Sequence, residues 1–137
     1  MDQELTGADI INWNNGLWDI QQQLDGDVLT PKAQYVDDMV RLAKLLKRFA
    51  KIVIFSTTTP VRREQEPTMC NADIVAYNEA VVPVLRQMGI VINDLHGPVS
   101  EDVYRYICED MIHLSTDGIA LCAGLVENII RKEAEKL

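Results

Sequence analysis

Histidine and cysteine are scarce in this chain of 137 residues: there are two of the first, His96 and His113, and three of the second, Cys70, Cys108 and Cys122. Two histidines without clustered carboxylates around them make a dedicated metal site a poor expectation. Three cysteines form neither an even set nor a metal spacing, so free thiols are expected. Cys108 and Cys122 sit among apolar neighbours in helical patterns, which favours a reducing compartment and a cytoplasmic protein. No apolar run approaches the roughly 20 residues of a membrane span. The acidic start Met1-Asp2-Gln3-Glu4 has no apolar stretch behind it and does not read as a signal peptide, which leaves secretion through a signal further upstream open. A basic stripe is also missing: Arg62-Arg63 and Lys44, Lys47-Arg48 are short and interrupted. The formal charge is −8 and the pI near 4.6, so nucleic acid and anionic membrane are poor partners. There is no Gly-rich phosphate loop, no internal repeat and no low-complexity segment.

What is present suits one globular domain over 1–137. Apolar residues make up 47% and charged residues 25%, an ordinary balance, and the chain is long enough to bury about two-thirds of its unfolded surface. Residues 8–13 read as a short buried strand ending in the loop signal Asn14-Asn15-Gly16. Thr30-Pro31 reads as an N-cap followed by proline, opening a helix from 31 to 49 whose apolar positions recur at helical spacing. Lys51 to Ser56 is an apolar run suited to a strand buried on both faces. The stretch Thr57–Met69 is a long polar loop of the kind that is functional or mobile. Asn71 caps a helix to about Met88, with a kink expected at Pro83, and residues 90–93 form a third buried strand. A turn at Gly97-Pro98 precedes Ser100, read as the cap of a helix over 101–110. Ser115 or Thr116 caps the last helix, with Ile119, Cys122, Ala123, Val126 and Ile130 as its apolar face. The charged tail 131–137 is expected to fray. Strands alternating with helices imply an α/β domain with a parallel sheet, whose sites form at the carboxyl ends of the strands.

Two stretches there carry chemistry. Asp110 and His113 stand three residues apart, a spacing that lets the carboxylate hold one imidazole nitrogen and leave the other as a base. A purely structural Asp–His hydrogen bond is the alternative, and on the spacing alone it is the commoner one. Asn14-Asn15-Gly16-Leu17-Trp18-Asp19 offers an Asn amide and a Gly backbone N–H at a strand's end, donors suited to an oxyanion; a plain turn is the alternative. Thr57-Thr58-Thr59 reads as a strand-ending turn and His96 as a solvated loop residue.

The order of these stretches resembles the SGNH/GDSL hydrolase family. The matching residues are Asn14-x-Gly16-Leu17-x-Asp19 after the first strand, Phe55 to Val61 after the next, and Asn71 through Tyr77-Asn78. Ile92-Asn93-Asp94-Leu95 follows, and then Asp110-x-x-His113-Leu114-Ser115-x-x-Gly118. The resemblance covers about residues 8–130. It implies a flavodoxin-like three-layer α/β/α fold and hydrolysis of acyl or acetyl esters without a cofactor. It makes His113 the general base and Asp110 its orienting partner. The family's Gly-x-Asn-Asp motif would want Asn where Trp18 stands, so the oxyanion role passes to Asn14, with Asn15 as the alternative and Gly16 beside it. The family's first strand, with its Gly-Asp-Ser nucleophile, and its second motif have no counterpart here. Ser56, Ser100 and Ser115 lie in other contexts. The domain is therefore expected to be N-terminally incomplete relative to the family. Two readings follow: an ester hydrolase whose nucleophile is not in this chain, or a catalytically inactive binding or assembly module. Without a neighbouring first strand, the 8–13 strand would be an open edge, and a homo-oligomer joined through it is expected.

Overall fold

The structure is a computed structural model that describes residues 5–62 and 69–137. Part of the expected Thr57–Met69 loop, residues 63–68, lies outside the described residues. The elements in order are β1 (Ile10–Trp13), α1 (Lys32–Leu46), β2 (Ile52–Ser56), α2 (Asn71–Gln87), β3 (Val91–Asn93), α3 (His96–Ser100), α4 (Val103–Tyr106) and α5 (Thr116–Ala134). The three strands form one parallel sheet in the order β1-β2-β3. Ile11 pairs with Val53, and Phe55 with Ile92. The strands fall where the apolar runs place them.

Alternation along β2 divides the molecule into layers. Val53 and Phe55 join Ile11 on one face and pack against Tyr35, Met39 and Ala43 of α1 and Ile74, Val81 and Leu85 of α2. Ile54 is fully buried on the opposite face, where α5 runs against β1 and β3. The result is a three-layer α/β/α domain. Each fully buried side chain such as Phe55, Ile54 or Leu85 contributes about 1.5–3 kcal/mol through its apolar area. Trp13 reinforces the first face by lying 5.1 Å from the Phe55 ring. A second apolar cluster of Leu95, Val99, Ile107 and Cys122 joins α3 and the segment before α5 to α5 itself.

Several local expectations change. Thr30 does not cap α1 with its side chain; Pro31 occupies that position. The Thr30 N–H instead donates to the Asp19 carbonyl, and its own carbonyl accepts the Tyr77 hydroxyl at 2.7 Å. Asn71 does not cap α2 either, because its side chain bridges both backbone groups of Val61. α2 continues through Pro83, which faces solvent. The helix expected over 101–110 is the single turn α4, capped by Asp102, and Gly97-Pro98 belong to α3. On α5, Ser115 caps as expected, accepting the Gly118 N–H at 3.1 Å, but Ile119 is 58% exposed. The buried stripe runs instead through Gly118 and Cys122, with Leu121, Leu125 and Val126 packed beside it. The rotation has a steric cause: Gly118 presses against the Tyr106 carbonyl, which a Cβ would strike.

That contact separates two glycines of one helix. Gly118→Ala should cost about 1–3 kcal/mol by overpacking. Gly124→Ala, where a Cβ would meet nothing within 4 Å, should stabilise by roughly 0.5–1 kcal/mol through helix propensity. Urea melts of the two variants read both signs.

Candidate active site

The Asp110–His113 pair is built by the tight loop that joins α4 to α5. Ile107 and Leu114 form an antiparallel bridge at its base. The Cys108 N–H donates to the His113 carbonyl at 2.7 Å, and the Met111 N–H to the Cys108 carbonyl at 3.0 Å. Closing so short a turn puts Met111 at φ 76°, a left-handed conformation that a non-glycine residue adopts rarely. Asp110 holds the turn from inside. Its Oδ1 accepts the N–H groups of Ile112 and His113, each at 3.0 Å, and its Oδ2 lies 2.6 Å from His113 Nδ1. Sequence spacing alone anticipated this contact, and the structure contains it.

The electrostatics follow from the geometry. Two backbone N–H donors and then the imidazole stabilise the ionised carboxyl, and Asp110 falls from 3.8 to about 2. An acceptor-only carboxylate at Oδ2 requires a proton on Nδ1. In the neutral imidazole Nε2 is then the nitrogen without a proton, on a side chain that is 80% exposed. The loop is also held from outside. The Arg62 N–H donates to the Met111 carbonyl at 2.8 Å, and the Arg62 guanidinium lies 4.9 Å from the centre of the Tyr104 ring.

The other candidate residues lie in the loop after β1. Gly16 is buried with φ 142°; an added Cβ would meet the Thr58 and Tyr35 hydroxyls, so only glycine fits. Asn14 donates its amide to two carbonyls, Ser56 at 2.8 Å and Thr57 at 3.1 Å. Both amide hydrogens are therefore engaged, and the side chain acts as a clamp on the end of β2. Trp18 lies 70% exposed.

The end of β2 is the part that residue-type reasoning missed. Ser56 donates to Asn12 Oδ1 at 2.7 Å and accepts from Asn93 Nδ2 at 3.1 Å. Its hydroxyl, 1% exposed, is a structural link across the three strands and not a nucleophile. Thr57 Oγ1 accepts the N–H groups of Leu95 and His96. Thr58 shares both backbone groups with the buried side chain of Asn78. Asn71 and Asn78 are seven residues apart, two turns along one face of α2, and that repeat was a readable signal. His96 differs from expectation as well: it opens α3 half-buried, and burial lowers its pKa despite the opposing charge of Asp94.

This architecture is that of the SGNH/GDSL esterases and lipases. The structure superimposes on a GDSL-like lipase from Bacteroides thetaiotaomicron with a TM-score of 0.74 and 16% identity, over 90% of this chain and 62% of that one. An acetylxylan esterase from Geobacillus stearothermophilus gives 0.67 and 17%, over 86% and 57%. The esterase domain of the ORF1 protein from the zebrafish ZfL2-1 retrotransposon gives 0.64 and 20%, over 76% and 61%. The chain thus spans about three-fifths of the length of these proteins. No protein-family model and no curated protein sequence matches it.

The depressed carboxyl gives a pH test with a definite sign. A carboxyl whose folded pKa lies below its unfolded value stabilises the loop above the unfolded value and loses that contribution as pH falls through the folded one. The Asp110 carboxyl carbon, followed by NMR, should titrate near 2 and not in the ordinary Asp range near 4. His113→Ala should raise that midpoint only partly, because the two backbone donors remain.

Proposed function

We propose that this chain carries the acid–base half of an SGNH-type ester hydrolase, with His113 as general base and Asp110 as its orienting partner. The observation that supports this best is the 2.6 Å contact between Asp110 Oδ2 and His113 Nδ1, which makes Nε2 the free nitrogen of the neutral imidazole on an exposed side chain. In the reaction proposed, Nε2 takes the proton of a serine hydroxyl as its oxygen attacks the ester carbonyl. The imidazolium then returns that proton to the leaving alcohol. The serine is placed outside this chain, on a segment that adds to the β1 edge. Asn14 and Gly16 belong to the oxyanion side of the site. Asn14 shapes that loop through the Ser56 and Thr57 carbonyls and must release one of them to donate to an oxyanion itself. The substrate class is a small carboxylic ester, in keeping with the lipase and acetylxylan esterase of like fold. No helix of the described residues is long and apolar enough to cross a membrane. Short of a serine-bearing segment, β1 is an open edge at which two copies of the chain can pair, and a homo-oligomer is part of the proposal.

The second reading, a catalytically inactive binding or assembly module, is favoured by the engagement of both Asn14 amide hydrogens. The experiment that separates them is active-site labelling with a fluorophosphonate. The chain alone should hydrolyse an aryl acetate at close to the background rate and take up no label. Mixed with a separately produced Gly-Asp-Ser strand–helix block from one of the similar esterases, it should support labelling of that serine, and His113→Ala should abolish the label. An absence of labelling in every such mixture, with binding of the block retained, favours the inactive module. Robust turnover by the chain alone, lost in His113→Ala, places the nucleophile within it.

A further inference from the structure

A cavity of about 300 Å³ opens on the α2 side of β3, and none of the residues of the 107–114 loop line it. Its apolar wall is Val75, Val82 and Ile92, and its polar rim is Glu79, Arg86, Asp94 and His96. The α2 residues 75, 79, 82 and 86 form one stripe at spacings of four, three and four, so a single helix face supplies both characters. The side chains of Glu79 and Arg86 make no hydrogen bond or ion pair with the described residues.

His96, which lines the cavity, carries an acceptor without a partner. The Ser100 hydroxyl donates its one hydrogen to the His96 carbonyl at 2.7 Å. Towards His96 Nδ1, 3.4 Å away, Ser100 Oγ can therefore only accept, so Nδ1 carries the proton. Nε2 is then a bare acceptor, and it is buried with no hydrogen-bond partner. A buried acceptor without a partner carries a desolvation cost that a donor would remove. Asp94 adds acceptor capacity: its Oδ1 is taken by the Gly97 N–H at 2.9 Å and, at 3.3 Å, by the Thr57 hydroxyl, while Oδ2 lies over Gly97, where an added Cβ would displace it.

We propose that this cavity binds a neutral, polyhydroxylated molecule of pyranose size, a single saccharide unit. The hydroxyls donate to Glu79, Asp94 and His96 Nε2, the last after a small rotation of the ring, and one accepts from Arg86. The C–H face of the ring lies on Val75, Val82 and Ile92. The balance of charge selects against the alternatives: two carboxylates oppose an anion and Arg86 opposes a cation. The described residues hold no group of three His, Cys, Asp or Glu side chains that could bind a metal ion, and the volume sits at the small end of the range for ligand sites. This site is independent of the ester-hydrolase reading.

The test is an NMR titration of the full chain with methyl β-D-glucopyranoside. Shifts are expected at the His96 ring and at the Val75 and Val82 methyls, unchanged in His113→Ala. Glu79→Ala, an exposed helix position that leaves the fold intact, should weaken binding about tenfold, and Val82→Trp, which fills the cavity, should abolish it. Glucosamine and glucuronate, the same ring carrying a charge, should each bind more weakly than the neutral sugar. An absence of shifts at about 0.1 M glycoside, well above a millimolar Kd, overturns the proposal. So do shifts confined to the 107–114 loop, undiminished binding in Glu79→Ala, or tighter binding of either charged ring.

Discussion

Three consecutive buried residues at the end of β2 hold the loops of this domain in place. Ser56, Thr57 and Thr58 are 1%, 5% and 5% exposed, and their backbone and side-chain groups bond to β1 and its loop, to the end of β3 with the start of α3, and to α2. Asn12 and Asn14 reach them from β1 and its loop, Asn93 and the start of α3 from β3, and Asn78 from α2. A parallel sheet leaves its strand ends with unpaired backbone groups that must find partners. Here asparagine and threonine side chains supply those partners. Buried polar groups of this kind stabilise only when all are satisfied, so the network gives the loops one arrangement.

That arrangement treats the two candidate halves of a hydrolytic site differently. The Asp110–His113 pair is complete within its own turn. The carboxylate is held by two N–H groups and the imidazole, and it needs nothing beyond the loop to set the tautomer of His113. The Asn14 side is engaged inwardly, with its donors on β2 carbonyls. The Asp110–His113 contact is therefore formed locally, while the Asn14 amide is bound up with holding the end of β2.

The saccharide cavity depends on the same constraint from the other side. Thr57 Oγ1 accepts the His96 N–H and donates to Asp94, so the hydroxyl that orders the carboxyl edge also sets the two residues at the mouth of the cavity. Thr57 thus joins the cavity to the polar network at the end of β2, while the 107–114 loop is held separately by the Arg62 N–H.

Some of this was legible in the residues alone. Three apolar runs were enough for three parallel strands, because a strand buried on both faces has no polar positions to spare. The Asp110–His113 contact was legible because a carboxylate three residues before an imidazole closes within one turn, whatever surrounds it. Ser115 as a cap was legible for the same local reason. Long-range competition decided the rest. Asn71 left its capping position for Val61, Ile119 turned outward because Gly118 had to lie against the Tyr106 carbonyl, and His96 became half-buried as α3 packed against α4 and α5. Asn14 could be read as an oxyanion donor because an amide at a strand's end has the right chemistry. Only the tertiary structure shows where that amide points, since its partners lie more than forty residues away. The hydrogen bonds of the Asp110–His113 turn and of the Ser115 cap were thus settled by the sequence itself. The orientation of each polar side chain that reaches across the sheet was settled by packing, because burial requires every such group to find a partner from whichever segment the fold brings near.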